Sequence, residues 1–146
     1  MRLTRPRSLS SRPSRCSMNS SRAGNGDPDG GVYIAVFYLA EAQDISVGKL
    51  GRFGFGQGVY FYAGSAQRNL SARLERHSRK SKATRWHIDY LSVRAEMLGA
   101  ITVAAPRHRE CELAKELAGM FELAAPGFGA SDCRCGGHLF CAPRLP

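Results

Sequence analysis

Two runs of β-branched and aromatic residues constrain the fold of this chain more than any other feature. The first reads GVYIAVFYL over residues 31–39, and the second reads VYFYAGS over residues 59–65. The first run is apolar on both faces of an extended chain, which is typical of a strand buried within a sheet. The two runs therefore predict two core strands that have other elements packed against them.

The rest of the chain predicts further strands and helices. In chain order, these are a short exposed strand around 45–47, a helix over 67–80, a short helix from Thr84, a core strand over 97–105 and a helix over 107–123. Asn69 is a residue type expected at the N-cap of the first helix. Residues 129–146 are predicted to be irregular. This order predicts an α/β or α+β domain whose small central sheet has three strands, antiparallel or mixed, flanked by helices.

The first 30 residues differ in composition from the remainder. They contain Arg, Ser, Pro and Gly with almost no apolar side chain, so they cannot bury enough surface to offset the entropy of ordering. We therefore expect a disordered Arg- and Ser-rich extension over 1–30, in which Cys16 has no role, and one folded domain over 31–142. A transit peptide and an upstream start codon, with Met18 nearer the true beginning, are alternative origins of the extension.

The charge of the chain limits its partners. The formal net charge is +9, of which six Arg and two Asp place +4 in residues 1–30 and leave +5 for the remainder. A basic surplus on the folded part favours a polyanionic partner, nucleic acid in particular. No window approaches the roughly 18 to 20 consecutive apolar residues of a membrane-spanning helix, so no membrane partner is expected. The start lacks an apolar signal-peptide core, so we expect a cytoplasmic protein with reduced cysteines.

The first long helix carries two basic side chains on the face that should pack inward. Arg73 and His77 share the helical spacing of Leu70 and Leu74, so all four side chains lie on one side. A guanidinium suits a phosphate site, because its planar fork donates two hydrogen bonds at once. The alternative is that Arg73 and His77 flank the apolar stripe and extend to solvent.

The second long helix repeats this pattern with a carboxylate. Its apolar stripe consists of Leu113, Ala114 and Leu117. Glu110 lies on this stripe and Glu112 on the opposite side, and the stripe is expected to face the sheet where Tyr33 and Tyr62 lie. A half-buried carboxylate is costly unless it is paired or binds a metal. The alternative explanation for Glu110 is that an acidic first turn interacts favourably with the helix dipole.

Two strand tyrosines complete the set of candidates. Tyr33 lies two residues after Gly31 in the first strand, and Tyr62 lies two residues before Gly64 in the second. A single strand tyrosine usually serves packing. Two of them, each beside a glycine that lets a backbone or a ligand approach closely, indicate a site.

Together these features resemble the GIY-YIG nucleases. GVY at 31–33 is similar to the first signature of that family and YAG at 62–64 to the second. Arg73 falls where the helix of the family carries its arginine, and Glu110 is the best candidate for the metal-binding glutamate. The resemblance covers 31–142. It is closer to the stand-alone branch called Uri-type endonuclease, a domain of unknown function, which is similar in YAGSA, RLERH, WHIDYL and FGASDCRC and has a comparable insertion between the signatures.

The resemblance implies a divalent-metal-dependent endonuclease that hydrolyses nucleic-acid phosphodiester bonds in DNA repair or processing. DNA rather than RNA is the expected substrate, and structure rather than sequence the expected specificity. In such an enzyme Glu110 would hold Mg²⁺ or Mn²⁺ and Arg73 would grip the scissile phosphate. Tyr33 would orient or deprotonate the attacking water with help from Tyr62, and His77 is the alternative base. A non-catalytic nucleic-acid-binding module and a zinc-stabilised interaction domain are the competing interpretations.

A basic loop and the start of the helix that follows it are the expected nucleic-acid surface. The candidate residues are Arg79, Lys80, Lys82, Arg85, Trp86 and His87. The basic side chains would follow the phosphate backbone, and Trp86 would stack a base. The alternatives are a solvated charge run and ordinary packing of the two rings.

The cysteines near the C-terminal end form a candidate zinc site. Its ligands would be Cys133, Cys135, His138 and Cys141, with Cys111 as a further member brought close by the fold. The C-x-C spacing is less regular than paired C-x₂-C motifs, so the sequence favours buried thiols over structural zinc. His138 has a second interpretation, in which it approaches the active site.

Overall fold

The structure, a computed structural model, describes residues 28–131 and 133–142. Most of the predicted N-terminal extension, Cys16 included, lies outside the described residues. The described strands are β1 (Gly31–Leu39), β2 (Gln43–Val47), β3 (Gly51–Phe55), β4 (Gly58–Ala66), β5 (Glu96–Val103), β6 (Glu122–Leu123) and β7 (Leu139–Cys141). The described helices are α1 (Leu70–Ser78), α2 (His87–Ser92) and α3 (Arg109–Ala118). None of these three helices could cross a membrane, being too short and too polar.

The described strands form one antiparallel five-stranded sheet in the order β5-β1-β4-β7-β6 and a separate β2-β3 hairpin. Strand β1 lies inside the sheet, since it pairs with β4 over its full length and with β5 on its other side. The mixed α and β class and the antiparallel sheet agree with the sequence prediction. The predicted number of three strands is wrong.

Both faces of the sheet are covered, as the apolar runs predict. One face carries the larger core, which includes Tyr33 and Phe37 from β1, the leucines of α1 and residues of α2 and the hairpin. The other face carries a smaller core in which Ala114 and Leu117 of α3 pack against Ala63 of β4. Full burial of a large apolar side chain such as Phe37 contributes about 1.5–3 kcal/mol. The two core strands are therefore fixed from both sides.

The two additional strands come from a segment predicted to be the end of a helix and an irregular tail. Helix α3 ends at Ala118, and Gly119 forms its C-cap, because glycine is a poor helix former. The chain then pairs Leu123 with Phe140, and β7 pairs with β4. Strands of two or three residues have no periodicity that a sequence could display. They form here because the edge of β4 offers unpaired backbone groups.

Helix α1 is capped by a residue that precedes the first strand. Asn69 occupies the N-cap position, as predicted, but its backbone is left-handed (φ 52°) and its side chain makes no capping hydrogen bond. Asp29 caps the helix instead: its carbonyl accepts from the Leu70 N–H at 2.9 Å, and its Oδ1 accepts from the Ser71 N–H at 3.0 Å and the Ser71 hydroxyl at 2.9 Å. Such a cap stabilises by about 1 kcal/mol. It also anchors α1 beside the start of β1.

Candidate active site

A cleft of about 1180 Å³ opens beside the sheet face that carries the larger core. The structure brings together there the residues predicted as catalytic: Tyr33, Tyr62, Arg73, His77 and Glu110. Strands β1 and β4 supply the tyrosines, α1 supplies the arginine and the histidine, and α3 supplies the glutamate. Elements distant in the sequence thus converge on one cleft.

The glycines beside the two tyrosines have steric roles. Tyr33 and Gly64 are cross-strand partners, and a Cβ on Gly64 would come within 2.5 Å of the Tyr33 ring. Glycine at this position therefore lets the ring lie across β4. A Cβ on Gly31 would lie 2.2 Å from the Val103 carbonyl oxygen, so Gly31 admits the backbone of β5. The ring of Tyr62 lies 6.3 Å from that of Tyr33 between centroids.

Tyr33 and His77 form a buried pair, with 2.8 Å between the Tyr33 Oη and the His77 Nε2. Burial lowers the pKa of His77 to about 3, and the Lys82 ammonium acts in the same direction. Burial raises the pKa of Tyr33 to about 12, although the Arg73 guanidinium opposes this shift. Both groups are therefore neutral near pH 7.

The tautomer of His77 follows from its other nitrogen. Nδ1 is buried and has no hydrogen-bond partner among the described residues. A buried N–H donor without a partner is rarer in proteins than an unsatisfied acceptor. This favours the tautomer in which Nε2 donates to the Tyr33 oxygen, so that the Tyr33 hydroxyl proton is left to face the cleft. His77 then positions Tyr33.

Acid should destabilise the folded chain through His77. In the unfolded chain a histidine has a pKa of about 6.5, so it binds a proton below that pH. In the folded chain the pKa of His77 is about 3. Between these two pH values the unfolded state binds more protons than the folded state. The free energy of unfolding therefore falls by about 1.4 kcal/mol for each pH unit of acidification within that range. Between pH 6.5 and 5 the wild type should lose about 1.6 kcal/mol more than His77→Gln, measured by urea unfolding. Equal pH dependence would contradict a buried neutral His77.

Arg73 reaches the cleft with its guanidinium partly engaged. Its Nη1 donates to the Ser65 carbonyl oxygen at 3.1 Å, and its Cζ lies 4.4 Å from the centroid of the Trp86 ring. A guanidinium has five N–H donors, so several remain for a ligand in the cleft. Trp86 therefore orients the arginine by a cation–π contact.

Arg76 was not singled out from the sequence, because it lies off the leucine stripe of α1. Its Nη1 and Nη2 donate to Asp89 at 2.6 and 2.9 Å, and its Cζ lies 4.6 Å from the Trp86 ring centroid. Asp89 also accepts from the backbone N–H groups of Arg85 and Trp86. Burial alone would raise the pKa of Asp89, but these hydrogen bonds hold it below its usual value. The pair thus fixes the loop that carries Trp86.

Glu110 enters the cleft from the first turn of α3. Its Oε2 lies 2.8 Å from the Nδ1 of His138, and one-fifth of its side chain is exposed. Glu112 points elsewhere and pairs at 2.6 Å with Arg109, where both side chains are about half exposed. The predicted helix phase is correct in this respect. The apolar stripe packs against the sheet, as predicted, and it does so on the face opposite to the tyrosines, where Leu117 lies with Ala63.

Among the described residues that line the cleft, Glu110 is the one carboxylate, against the three arginines Arg73, Arg85 and Arg107. Mg²⁺ commonly takes one or two protein carboxylates, substrate phosphates and several waters. Glu110 fits such a site, since its carboxylate is partly exposed in the cleft. The arginine surplus suits an anionic ligand.

The comparison with known families agrees with this arrangement. A family model described as "Domain of unknown function DUF123" matches residues 32–145, most of the chain. The chain belongs to the DUF123 family. This family is GIY-YIG-like, and the matched range includes the five converging side chains. No curated protein and no solved structure shows significant similarity to the chain.

Half of the predicted nucleic-acid surface of this DUF123 chain lies at the cleft. The residues placed there are Arg85, Trp86 and His87. His87 Nδ1 accepts from the Gly129 N–H at 2.8 Å, and burial lowers the pKa of His87. The cleft also contains polar residues that the sequence did not single out, because they follow no periodic pattern: Ser65, Gln67, Arg107, His108 and Ser131.

The lysines of the basic loop have structural partners. Lys82 Nζ donates to the carbonyl oxygens of Arg76 at 2.7 Å and His77 at 3.2 Å, at the C-terminal end of α1, and burial lowers its pKa to about 8. Lys80 Nζ donates to the carbonyls of Ser92 and Ala95. Arg79 is exposed and lies outside the cleft lining. A cation at a helix C-terminus is itself stabilising. Of the four basic residues predicted for this loop, Arg85 lines the cleft; the binding of phosphates by this loop stays a prediction.

The candidate zinc ligands form a different set from the one predicted. The ligand atoms of Cys111, Cys133, Cys135 and His138 all lie within 4.8 Å of one another. Cys141 is not in this cluster, because it pairs with Tyr60 across β4 and β7. His138 also approaches the active site through Glu110, as its second interpretation expected. Burial lowers the pKa of His138, but the Glu110 carboxylate more than offsets this and holds it above its ordinary value.

Proposed function

We propose that this chain is a divalent-metal-dependent endonuclease of the stand-alone, Uri-type GIY-YIG branch. Its substrate would be DNA, recognised by structure rather than by sequence, in repair or processing. The observation that carries the proposal is the convergence of Arg73 and Glu110 on the buried Tyr33–His77 pair in an open, arginine-rich cleft.

Phosphodiester hydrolysis requires what these side chains offer. Negative charge on the non-bridging oxygens must be neutralised, and a water must be aligned opposite the leaving oxygen. Arg73 would donate to the non-bridging oxygens through the N–H groups that Ser65 leaves free. A divalent cation held by Glu110 would neutralise further charge when bound. Tyr33, positioned by His77, would contact the attacking water, and Tyr62 would support the Tyr33 ring.

The main competing function is a nucleic-acid-binding module without catalysis. Such a module requires basic residues at the surface, but it has no need of a carboxylate among them. In this chain Glu110 is oriented into an otherwise basic cleft by a histidine that is only 1% exposed. Placing a negative charge there weakens the binding of nucleic acid unless a cation bridges it. This favours the enzyme.

The deciding experiment compares the purified full chain on branched, nicked, duplex and single-stranded DNA and on matched RNA. Each substrate is incubated with Mg²⁺, with Mn²⁺ and with a chelator. We expect metal-dependent cleavage of at least one branched or nicked DNA, with little dependence on sequence, and binding that persists in the chelator. Binding to these substrates without cleavage in either metal would favour the non-catalytic module.

A further inference from the structure

We propose that Cys111, Cys133, Cys135 and His138 bind one zinc ion, and that this ion positions Glu110 through His138. Cys111 lies in the first turn of α3, and the other three residues lie in the loop that leads to β7. The metal would therefore join two parts of the chain that the sheet does not pair directly. This site is separate from the divalent-cation site of the proposed nuclease and does not depend on that function.

The distances suit zinc. Zinc binds thiolates at about 2.3 Å and imidazole nitrogen at about 2.0–2.1 Å in a tetrahedron, which places sulfur and nitrogen ligands about 3.5 Å apart and two sulfurs about 3.8 Å apart. The Cys133 Sγ lies 3.5 Å from the His138 Nε2, and all four ligand atoms lie within 4.8 Å of one another. Small side-chain movements toward a central ion would close the remaining gaps.

The orientation of His138 is that of a metal ligand. Its Nε2 faces the thiols, and its Nδ1 lies 2.8 Å from the Glu110 carboxylate. With its proton on Nδ1, beside the Glu110 carboxylate, the ring has the Nε2 lone pair available for a metal. Histidine ligands of zinc usually have such a carboxylate partner on the other nitrogen, which fixes both the tautomer and the ring. Through this contact the metal would hold Glu110 at the cleft.

The sequence favoured buried thiols, but the structure places all three sulfur-bearing side chains at half-buried positions. The loop around them is rich in glycine, and Gly127 and Gly129 have positive φ values of 80° and 74°. Ordering such a segment costs much backbone entropy. A metal ligated by three residues of the loop offsets that cost, which thiols alone would not do. Because the protein fills all four positions, this zinc has a structural role.

The test uses the full chain expressed with added zinc and dialysed against metal-free buffer. We expect one zinc per chain by elemental analysis and, after exchange with Co²⁺, the thiolate-to-metal charge-transfer bands and d–d bands of a tetrahedral site. Cys111→Ser and Cys135→Ser should lose the metal, and Cys141→Ser, the matched control, should retain it. The cobalt spectrum of the wild type is informative even if a variant fails to fold. Metal-free wild type without cobalt bands, a disulfide among these cysteines, or loss of zinc in Cys141→Ser alone would overturn the site.

The link to Glu110 has its own readout, which is independent of cleavage. Glu110→Gln should lower zinc affinity by about 10–100-fold, as loss of a partner of a ligating histidine commonly does. Competition with a chromophoric chelator, in the absence of nucleic acid, measures this change. Glu112→Gln should bind zinc like the wild type, since its carboxylate pairs with Arg109 at the surface. Equal zinc affinity of Glu110→Gln and wild type would overturn the positioning role.

Discussion

Glu110→Gln should lower the rate of DNA cleavage by at least about 100-fold, because a metal interaction worth several kcal/mol is lost and each 1.4 kcal/mol is tenfold in rate. The substitution keeps the shape of the side chain and removes the charge that would bind the cation. The binding of DNA should change little, since the arginines of the cleft would supply most of the affinity. Single-turnover rates in Mg²⁺ and fluorescence anisotropy in a chelator measure the two effects.

The matched control for this prediction is Glu112→Gln. Glu112 lies two residues away on the same helix, where it makes a half-exposed ion pair with Arg109, and such pairs contribute at most about 1 kcal/mol. Its cleavage rate should stay within a few-fold of the wild type. Both variants are assayed in saturating zinc, so that reduced zinc affinity does not contribute to the difference in cleavage rate. Equal effects of the two substitutions would contradict the assignment of Glu110 as the cation ligand.

Tyr33→Phe should lower cleavage by about 10²–10⁴-fold, the usual contribution of a group that transfers a proton in the transition state. The ring stays across Gly64 and only the hydroxyl that faces His77 is removed. Tyr38→Phe is the matched control on the same strand, because the Tyr38 hydroxyl accepts from the exposed Gln57 side chain and lies outside the cleft lining. It should cleave like the wild type. A Tyr33→Phe variant that cleaves DNA at the wild-type rate would exclude the hydroxyl from the reaction.

The pH profile distinguishes Tyr33 from His77 as the base. If Tyr33 is the base, its active form is the phenolate, and the pKa of Tyr33 is raised to about 12. The phenolate fraction, and with it the single-turnover rate, should therefore rise about tenfold per pH unit from pH 6 to 9. His77, with a pKa of about 3, would give a flat profile over that range. Loss of the slope in Tyr33→Phe would assign it to this hydroxyl.

His138 connects the two sites proposed for this chain. One ring nitrogen faces the cysteine cluster and the other contacts Glu110, so both would respond to a change in the loop that leads to β7. Zinc removal should thus reduce cleavage even when Mg²⁺ is abundant. On the other side of the cleft, the ion pair between Arg76 and Asp89 positions Arg73 indirectly. It fixes the Trp86 ring, and the Arg73 guanidinium packs on that ring.

The sequence by itself determined the elements whose side-chain periodicity is long enough to be read. The apolar runs defined β1 and β4, and helical spacing placed Arg73, His77 and Glu110 on faces that do line the cleft. Periodicity records which face of an element is turned toward apolar or polar surroundings. Because periodicity is a property of neighbouring residues, it can be identified without knowing the rest of the fold.

Only the tertiary structure decided which distant groups meet. The side chain that caps α1 comes from Asp29, 42 residues before Ser71, and not from Asn69 at the N-cap position. Cys111 joins the cysteine cluster in place of Cys141. Lys82 donates to carbonyl oxygens at the end of α1. Each of these outcomes depends on unpaired donors, acceptors or sulfur atoms that come within reach after the sheet has formed. Contacts of this kind depend on which groups the folded chain brings close together, and the local spacing of residues in the sequence does not predict them.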